Sequence, residues 1–260
     1  MRLRFITEEI VSDRKLLLIF VAAPLLVLYF TWPMFDHLGG KVVGGSGSNH
    51  IISSQLKYTL ANYTNRGSFS NFYPSHMNAV MGGINELIRL SFVIGGLVAA
   101  FGLCTSVSSG HIINEIALFG SKLKALSIRL TPLLLYLLLA SAFFTAEASI
   151  AASTFGNGLP VRISVAVFVS LLAASIWGFF LVSLLGVGLR DSAYPLIALF
   201  IVAFAVPSKG HLHDVLMPFN SIYMAVWHVS KLTSWHYLGF LIQSLTVVLT
   251  FVVFRGGDYY

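Results

Sequence analysis

The sequence predicts an all-α integral membrane protein with six transmembrane helices, and three observations carry that reading. Hydrophobic residues make up 57% of the 260 positions and charged residues only 10%, at a mean hydropathy of +0.83, so the chain lacks the polar surface that a soluble globule of this size needs. Apolar runs recur at lengths that suit helical spans of about 20 residues. None shows the period-two alternation of a membrane barrel. The formal charge of +6 would suggest nucleic acid in a soluble chain, but here the basic residues flank apolar runs, which is a topology signal. No nucleic-acid partner is expected. Cys104 is the only cysteine and lies within an apolar run, which excludes an intramolecular disulfide and a cysteine-rich metal site.

Residues 1–15, MRLRFITEEIVSDRK, bring Leu3, Ile6 and Ile10 near one helical face among charged neighbours, as in an amphipathic surface helix. The first span, 16–34, is expected to remain uncleaved, because its run ends in Tyr29, Phe30, Trp32 and Pro33 without a small-residue cleavage site. Residues 35–86 form an external loop or cap. Its glycines, Gly39, Gly40, Gly44, Gly45 and Gly47, are not followed by Gly-Lys-Ser/Thr, so they make no phosphate loop. Asn62-Tyr63-Thr64 is a formal glycosylation sequon. The second span, 87–107, spaces Gly95 from Ala99 and Gly96 from Ala100 by four residues and adds Gly102, which lets another helix come close. Glu86 and Arg89, three apart at its outer end, read either as a local ion pair or as a substrate contact on a translocation path.

Residues 108–129, SSGHIINEIALFGSKLKALSIR, interrupt the apolar pattern. Ile112, Ile113, Ile116 and Phe119 share a helical face, Gly120 and Ser121 break it, and Leu123, Leu126 and Leu130 restart a stripe with Lys122, Lys124 and Arg129 off it. The pattern predicts a short helix, a turn and a second amphipathic helix along the membrane surface. It serves an anchoring hairpin and a docking site equally well.

The third span, 130–151, has Pro132 in its first turn, where a missing donor costs least. It carries Glu147, read as a translocation-path residue or as an interfacial side chain that snorkels. The fourth span, 163–189, pairs Ala174 with Gly178 and is long enough to require tilt or a protruding end. The fifth, 191–206, is short: Pro195 to Val206 gives about 18 Å of helix against a hydrocarbon core of about 30 Å. Residues 207–236, broken by Pro207, Gly210 and Pro218, fit an external re-entrant segment, since broken backbone at membrane depth survives where protein surrounds it. His211, His213 and Asp214 are too weak a pattern for a metal site. The sixth span, 237–254, precedes the tail 255–260. With the N-terminus inside, the short inner segments hold Arg2, Arg4, Arg14, Lys15, Lys122, Lys124, Arg129, Arg190 and Arg255. The much longer outer ones hold Lys41, Lys57, Arg66, Arg162, Lys209 and Lys231. That density places both termini in the cytoplasm.

In order and in residues, the chain resembles the permease subunits of ABC-2 type (type-2 ABC) exporters. The resemblance lies in EEIVSDRKLLLIFVAAPLLVLYF as entry helix and first span, the large external loop, SSGHI with the basic stretch after it as coupling helix, the short fifth span with its re-entrant segment, and the closing FRGGDYY. Ser108 and Ser109, and Gly120 and Ser121, stand where the family often has Glu and Pro. The resemblance implies a multi-pass subunit of the cell membrane that pairs with a second permease subunit, as homo- or heterodimer, and with a cytosolic ABC ATPase. ATP and Mg would then be bound by that partner, and no cofactor or enzymatic activity belongs to this chain, whose sequence lacks the Walker motifs. ATPase coupling falls to Ile112, Glu115, Ile116, Phe119, Lys122 and Lys124, and Glu147 and Arg89 are the candidates for the translocation path. Competing readings are an ATPase-independent transporter, which calls for mid-membrane ionisable groups or an internal repeat, a membrane-embedded enzyme, which calls for paired catalytic residues, and a membrane component of a secretion or uptake assembly.

Overall fold

The computed structural model describes residues 21, 22, 25, 74–154, 159–191, 193–205, 210–226 and 231–257. The expected N-terminal helix, most of the first span, the external loop up to residue 73 with Asn62, and the tail from residue 258 lie outside the described residues.

The described chain is helical throughout. Helix α1, Pro74–Ala99, continues through a π-helical turn, Ala100–Cys104, into a last turn, Thr105–Ser108. Then follow α2, His111–Phe119; α3, Lys122–Thr154; α4, Val161–Leu189; α5, Ala193–Phe200, with a second π-helical turn, Ile201–Ala205; α6, His211–Leu216; α7, Asn220–Val226; and α8, Ser234–Gly256. Four stretches are long and apolar enough to cross a membrane: Val80–Ser108, Lys122–Ser153, Val161–Leu189 and Ser234–Gly256. The described residues are therefore all-helical, with four helices suited to a bilayer.

Two helices begin earlier than their apolar runs suggest. Helix α1 starts at Pro74 rather than near Leu87, a position where proline's missing N–H costs nothing. Asn85 and Glu86 give the end of the expected loop its polar look, but Glu86 pairs with Arg89 and Asn85 accepts a hydrogen bond from Tyr223. Helix α3 starts at Lys122, so the second amphipathic helix and the third span are one continuous element and Pro132 lies in its interior. The hydroxyls of Ser127 and Thr131 bond back to the carbonyls of Leu123 (2.8 Å) and Ser127 (2.9 Å) in the turn before the proline, the i−4 back-bonding that tends to bend a helix.

Helix α4 is the central column, touching α1, α3, α5, α7 and α8. Its tightest neighbour is α1. A Cβ on Gly95 would lie 1.9 Å from the Ser175 carbonyl oxygen, and one on Gly178 would lie 1.9 Å from that of Phe92. The two backbones thus touch, as membrane helices do where both offer small residues. Gly96 is filled by Leu199 of α5, Gly102 by Leu133 of α3, and Gly186 by the Cys104 sulfur. Of the expected small residues, Gly95 and Gly178 thus serve one shared contact, and Gly96 and Gly102 each receive a different helix.

These meetings set the directions. Gly95 lies at Ser175 and Cys104 at Gly186, so α1 and α4 run parallel. Helix α3 runs opposite: Leu133 near its start meets Gly102, and Ser149 near its end meets Ser164 near the start of α4 (3.5 Å). Lys122 Nζ donates to the Gly257 carbonyl at 2.6 Å, which brings the end of α8 to the start of α3. One end of the bundle thus gathers the finishes of α1, α4 and α8, the starts of α3 and α5, and α2. The outer sides of α3 and α8 leave Leu135, Leu139, Ile150, Leu241, Val248 and Val252 more than half exposed, the surface that hydrocarbon covers in a membrane protein.

Replacing Gly95 or Gly178 by Ala is expected to cost about 1–3 kcal/mol through overpacking and to lower the thermal unfolding midpoint in detergent. Gly188→Ala, where a Cβ meets nothing within 4 Å, should leave the midpoint unchanged or slightly raised.

Candidate functional site

Two left-handed glycines isolate α2. Gly110 (φ 77°) turns the chain out of α1, and Gly120 (φ 71°) closes α2 with its N–H on the Ile116 carbonyl at 2.8 Å. A side chain at either position would be strained, so the break read at Gly120 and Ser121 has a conformational cause. Helix α2 then lays its apolar stripe on the bundle: Ile112 is fully buried, Phe119 is buried, and Ile113 and Ile116 are half-buried against the core.

Glu115 lies on that same stripe, three residues after Ile112. Its side chain and that of Arg129 are only 6% and 5% exposed, and they form an ion pair between Glu115 Oε1 and Arg129 Nη1. Arg129 Nε donates to the Gly102 carbonyl at 2.7 Å, inside the π-helical turn of α1. One guanidinium therefore ties α2, α3 and α1 together. Geometry is the reason it is an arginine: a planar fork presents two donors in fixed directions, which an ammonium cannot.

The expected docking contacts are thereby redistributed. Ile112, Glu115 and Phe119 face inward, because a helix that lays one stripe on the bundle withdraws that whole stripe from solvent. Lys122 is half-buried with its ammonium on the carbonyls of Arg255 and Gly257, where it caps the end of α8. Ile116 is half-buried, and of the six only Lys124 is exposed. The outward face of α2 consists of His111, Asn114, Ala117 and Leu118, the last 54% exposed. Arg129, which the sequence reading set off the stripe as one more surface cation, is the residue it missed. The available signal was its place between Ile128 and Leu130, three residues after Leu126 and four before Leu133, in the apolar register of α3.

The two translocation candidates lie toward the opposite end. Arg89 pairs with Glu86 at 3.2 Å, both about a third exposed, the local i,i+3 arrangement. Glu147 is buried on α3, two residues before Ser149.

A second polar cluster forms where α6 and α7 fold onto the long helices. Trp177 of α4 donates to the Leu216 carbonyl at 3.1 Å. Tyr223 is fully buried and donates to Asn85 Oδ1 at 2.6 Å; burial pushes its phenol far above the ordinary tyrosine range, which keeps it a donor. A Cβ on Gly239 of α8 would lie 2.5 Å from the Val215 carbonyl oxygen, so α6 presses on the first turns of α8. Thr233 caps α8, its N–H donating to His236 Nδ1 at 2.9 Å, while His236 Nε2 lies 3.5 Å from Asp214. His211 packs against Trp235 with ring centroids 4.9 Å apart and the planes tilted by 33°, and His213 Nε2 lies 3.4 Å from Asn220 Nδ2. Among the described residues no three His, Cys, Asp or Glu side chains converge to hold a metal ion.

The fold and these contacts describe a helical bundle with four helices apolar enough to cross a membrane, an amphipathic helix packed at one end and a folded-back helical segment on its flank. Compared with protein-family models, curated proteins and solved structures, the chain matches none of them.

Arg129→Met is expected to cost about 3–5 kcal/mol by stranding the Glu115 carboxylate, whereas the double variant E115L/R129M should recover most of that loss; a double-mutant cycle by thermal unfolding measures the difference. Tyr223→Phe should cost about 0.5–1.5 kcal/mol, read in the same assay.

Proposed function

We propose that this chain is the permease subunit of an ATP-driven ABC-2 type exporter, working as a dimer and driven by a separate cytosolic ABC ATPase that docks on α2 and the start of α3. The observation that carries the reading is α2 itself. It is short, bounded by two left-handed glycines and pinned by a buried ion pair, yet it keeps a polar outer face beside the exposed Lys124. An element that only anchored a loop would not need to be held so firmly. A lever must be, because a soft lever absorbs displacement.

In this reading the docking surface is His111, Asn114, Leu118 and Lys124. The end that carries it is cytoplasmic, as are both termini, supported by the gathering of Lys122, Lys124, Arg190 and Arg255 there. Helix α5 stops part-way, and α6 and α7 are the re-entrant segment. Two observations favour this: the short length of the apolar helix Ala193–Phe204, and the Leu216 carbonyl on Trp177, about 24 Å along α4 from Val161 at 1.5 Å per residue. ATP and Mg act on the partner, whose closure moves α2, and the bundle answers by rigid-body rocking within the cell membrane. Glu147, buried on α3, remains the candidate for the path; Arg89, held by Glu86, has the weaker case.

Purification of the tagged chain from its native membrane should bring an ABC ATPase with it. Leu118→Glu and Lys124→Glu should each reduce ATPase retention at least tenfold while leaving stability within about 0.5 kcal/mol, as exposed substitutions do. A wild-type preparation that carries no ATPase would overturn the reading in favour of an ATPase-independent transporter or assembly component.

A further inference from the structure

We infer that Arg129 is the positioning residue through which a displacement of α2 reaches the interior of α1, with Glu115 as its hold on α2 and the Gly102 carbonyl as its hold on α1. This rests on the docking role proposed for α2 and specifies how that site acts on the membrane bundle.

The connection runs through one rigid group. Arg129 Nη1 meets Glu115 Oε1 and Nε meets the Gly102 carbonyl at 2.7 Å, so both bonds share a single guanidinium plane. No flexible stem separates them. Both ionic side chains are almost completely buried, and removing one charge from such a pair is strongly unfavourable. A shift of Glu115 is therefore followed by Arg129 rather than absorbed by solvent.

What Arg129 grips on α1 is its irregular, π-helical turn. Gly102 lies within the π-helical turn, where the Thr105 N–H bonds the Ala100 carbonyl, five residues back. The Thr105 hydroxyl donates to the same carbonyl at 2.9 Å. A π-helical turn accommodates one more residue than the α-helical ladder around it, and such turns recur at functional sites. Its carbonyls lie out of the regular register, and one of them is the acceptor Arg129 uses. Leu133, one turn beyond Arg129 on α3, fills the space that a Gly102 side chain would occupy. Helix α3 thus bears on the turn with a charge and an apolar side chain together. A change in the bonding register here would rotate the rest of α1 relative to its last turn.

The test is hydrogen–deuterium exchange on the full chain in lipid nanodiscs, with no ATPase present, so its outcome is independent of the docking experiment above. Arg129→Lys keeps a charge for Glu115 and loses the fork. Exchange in peptides covering residues 100–109 is expected to rise about tenfold, while α2 stays protected as in the wild type. Glu115→Gln should speed exchange in both α2 and residues 100–109 and leave α4 unchanged. In E115L/R129M, which replaces the pair by apolar groups and guards against loss of folding, residues 100–109 should loosen to the same extent. The inference is overturned if residues 100–109 exchange at the wild-type rate in R129K or in the double variant, or if E115Q loosens α2 alone.

Discussion

Everything else in this molecule depends on the contact between α1 and α4. In hydrocarbon there is no water to drive apolar surfaces together, so helices associate where their backbones come close enough for dispersion and weak polar contacts to accumulate. Gly95 and Gly178 provide that closeness, each set against the other helix's carbonyl oxygen. With this parallel pair formed, Gly96, Gly102 and Gly186 become receptacles for α5, α3 and Cys104. Helices α3 and α8 can then leave much of their apolar side outward without loss, since hydrocarbon solvates it as well as protein would.

Burying a polar group without a partner is costly in such a bundle, and several of the matches found here join segments distant in the chain. Arg129 joins α3 to α2 and to α1, Tyr223 joins α7 to α1, and Trp177 joins α4 to the end of α6. Losing a buried bond of this kind leaves its other partner unsatisfied, which costs more than the bond itself contributes. Polar side chains in this chain are therefore assembly instructions as well as candidates for function. The two roles coincide at Arg129, where the group that holds α2 in place is also the one that would feel it move.

Much of the fold was legible in one dimension. Apolar run length announces a span because backbone donors and acceptors in a bilayer must bond within their own helix, and glycine at a turn announces a break because it tolerates positive φ. Helix starts were less legible. Asn85 and Glu86, read as the end of the external loop, are partnered side chains on a continuing helix, and Lys122 and Lys124, read on a separate amphipathic helix, belong to the first turn of α3. The docking residues were least legible. Periodicity shows that Ile112, Ile113, Ile116 and Phe119 share a stripe, but not whether that stripe faces a partner or the protein's own bundle, nor that Glu115 joins it.

By itself, then, the sequence determined the solvent of this protein, the helical character of its long runs, the position of the amphipathic helix and the small residues available for close approach, because each of these is a property of composition or of local period. Only the tertiary structure decided which glycine meets which helix, that α2 turns its apolar stripe inward, and that Glu115 and Arg129 spend their charges on each other. Those outcomes depend on groups far apart in the chain arriving together in a medium that leaves no buried charge without a counterpart, and no local pattern encodes such a meeting.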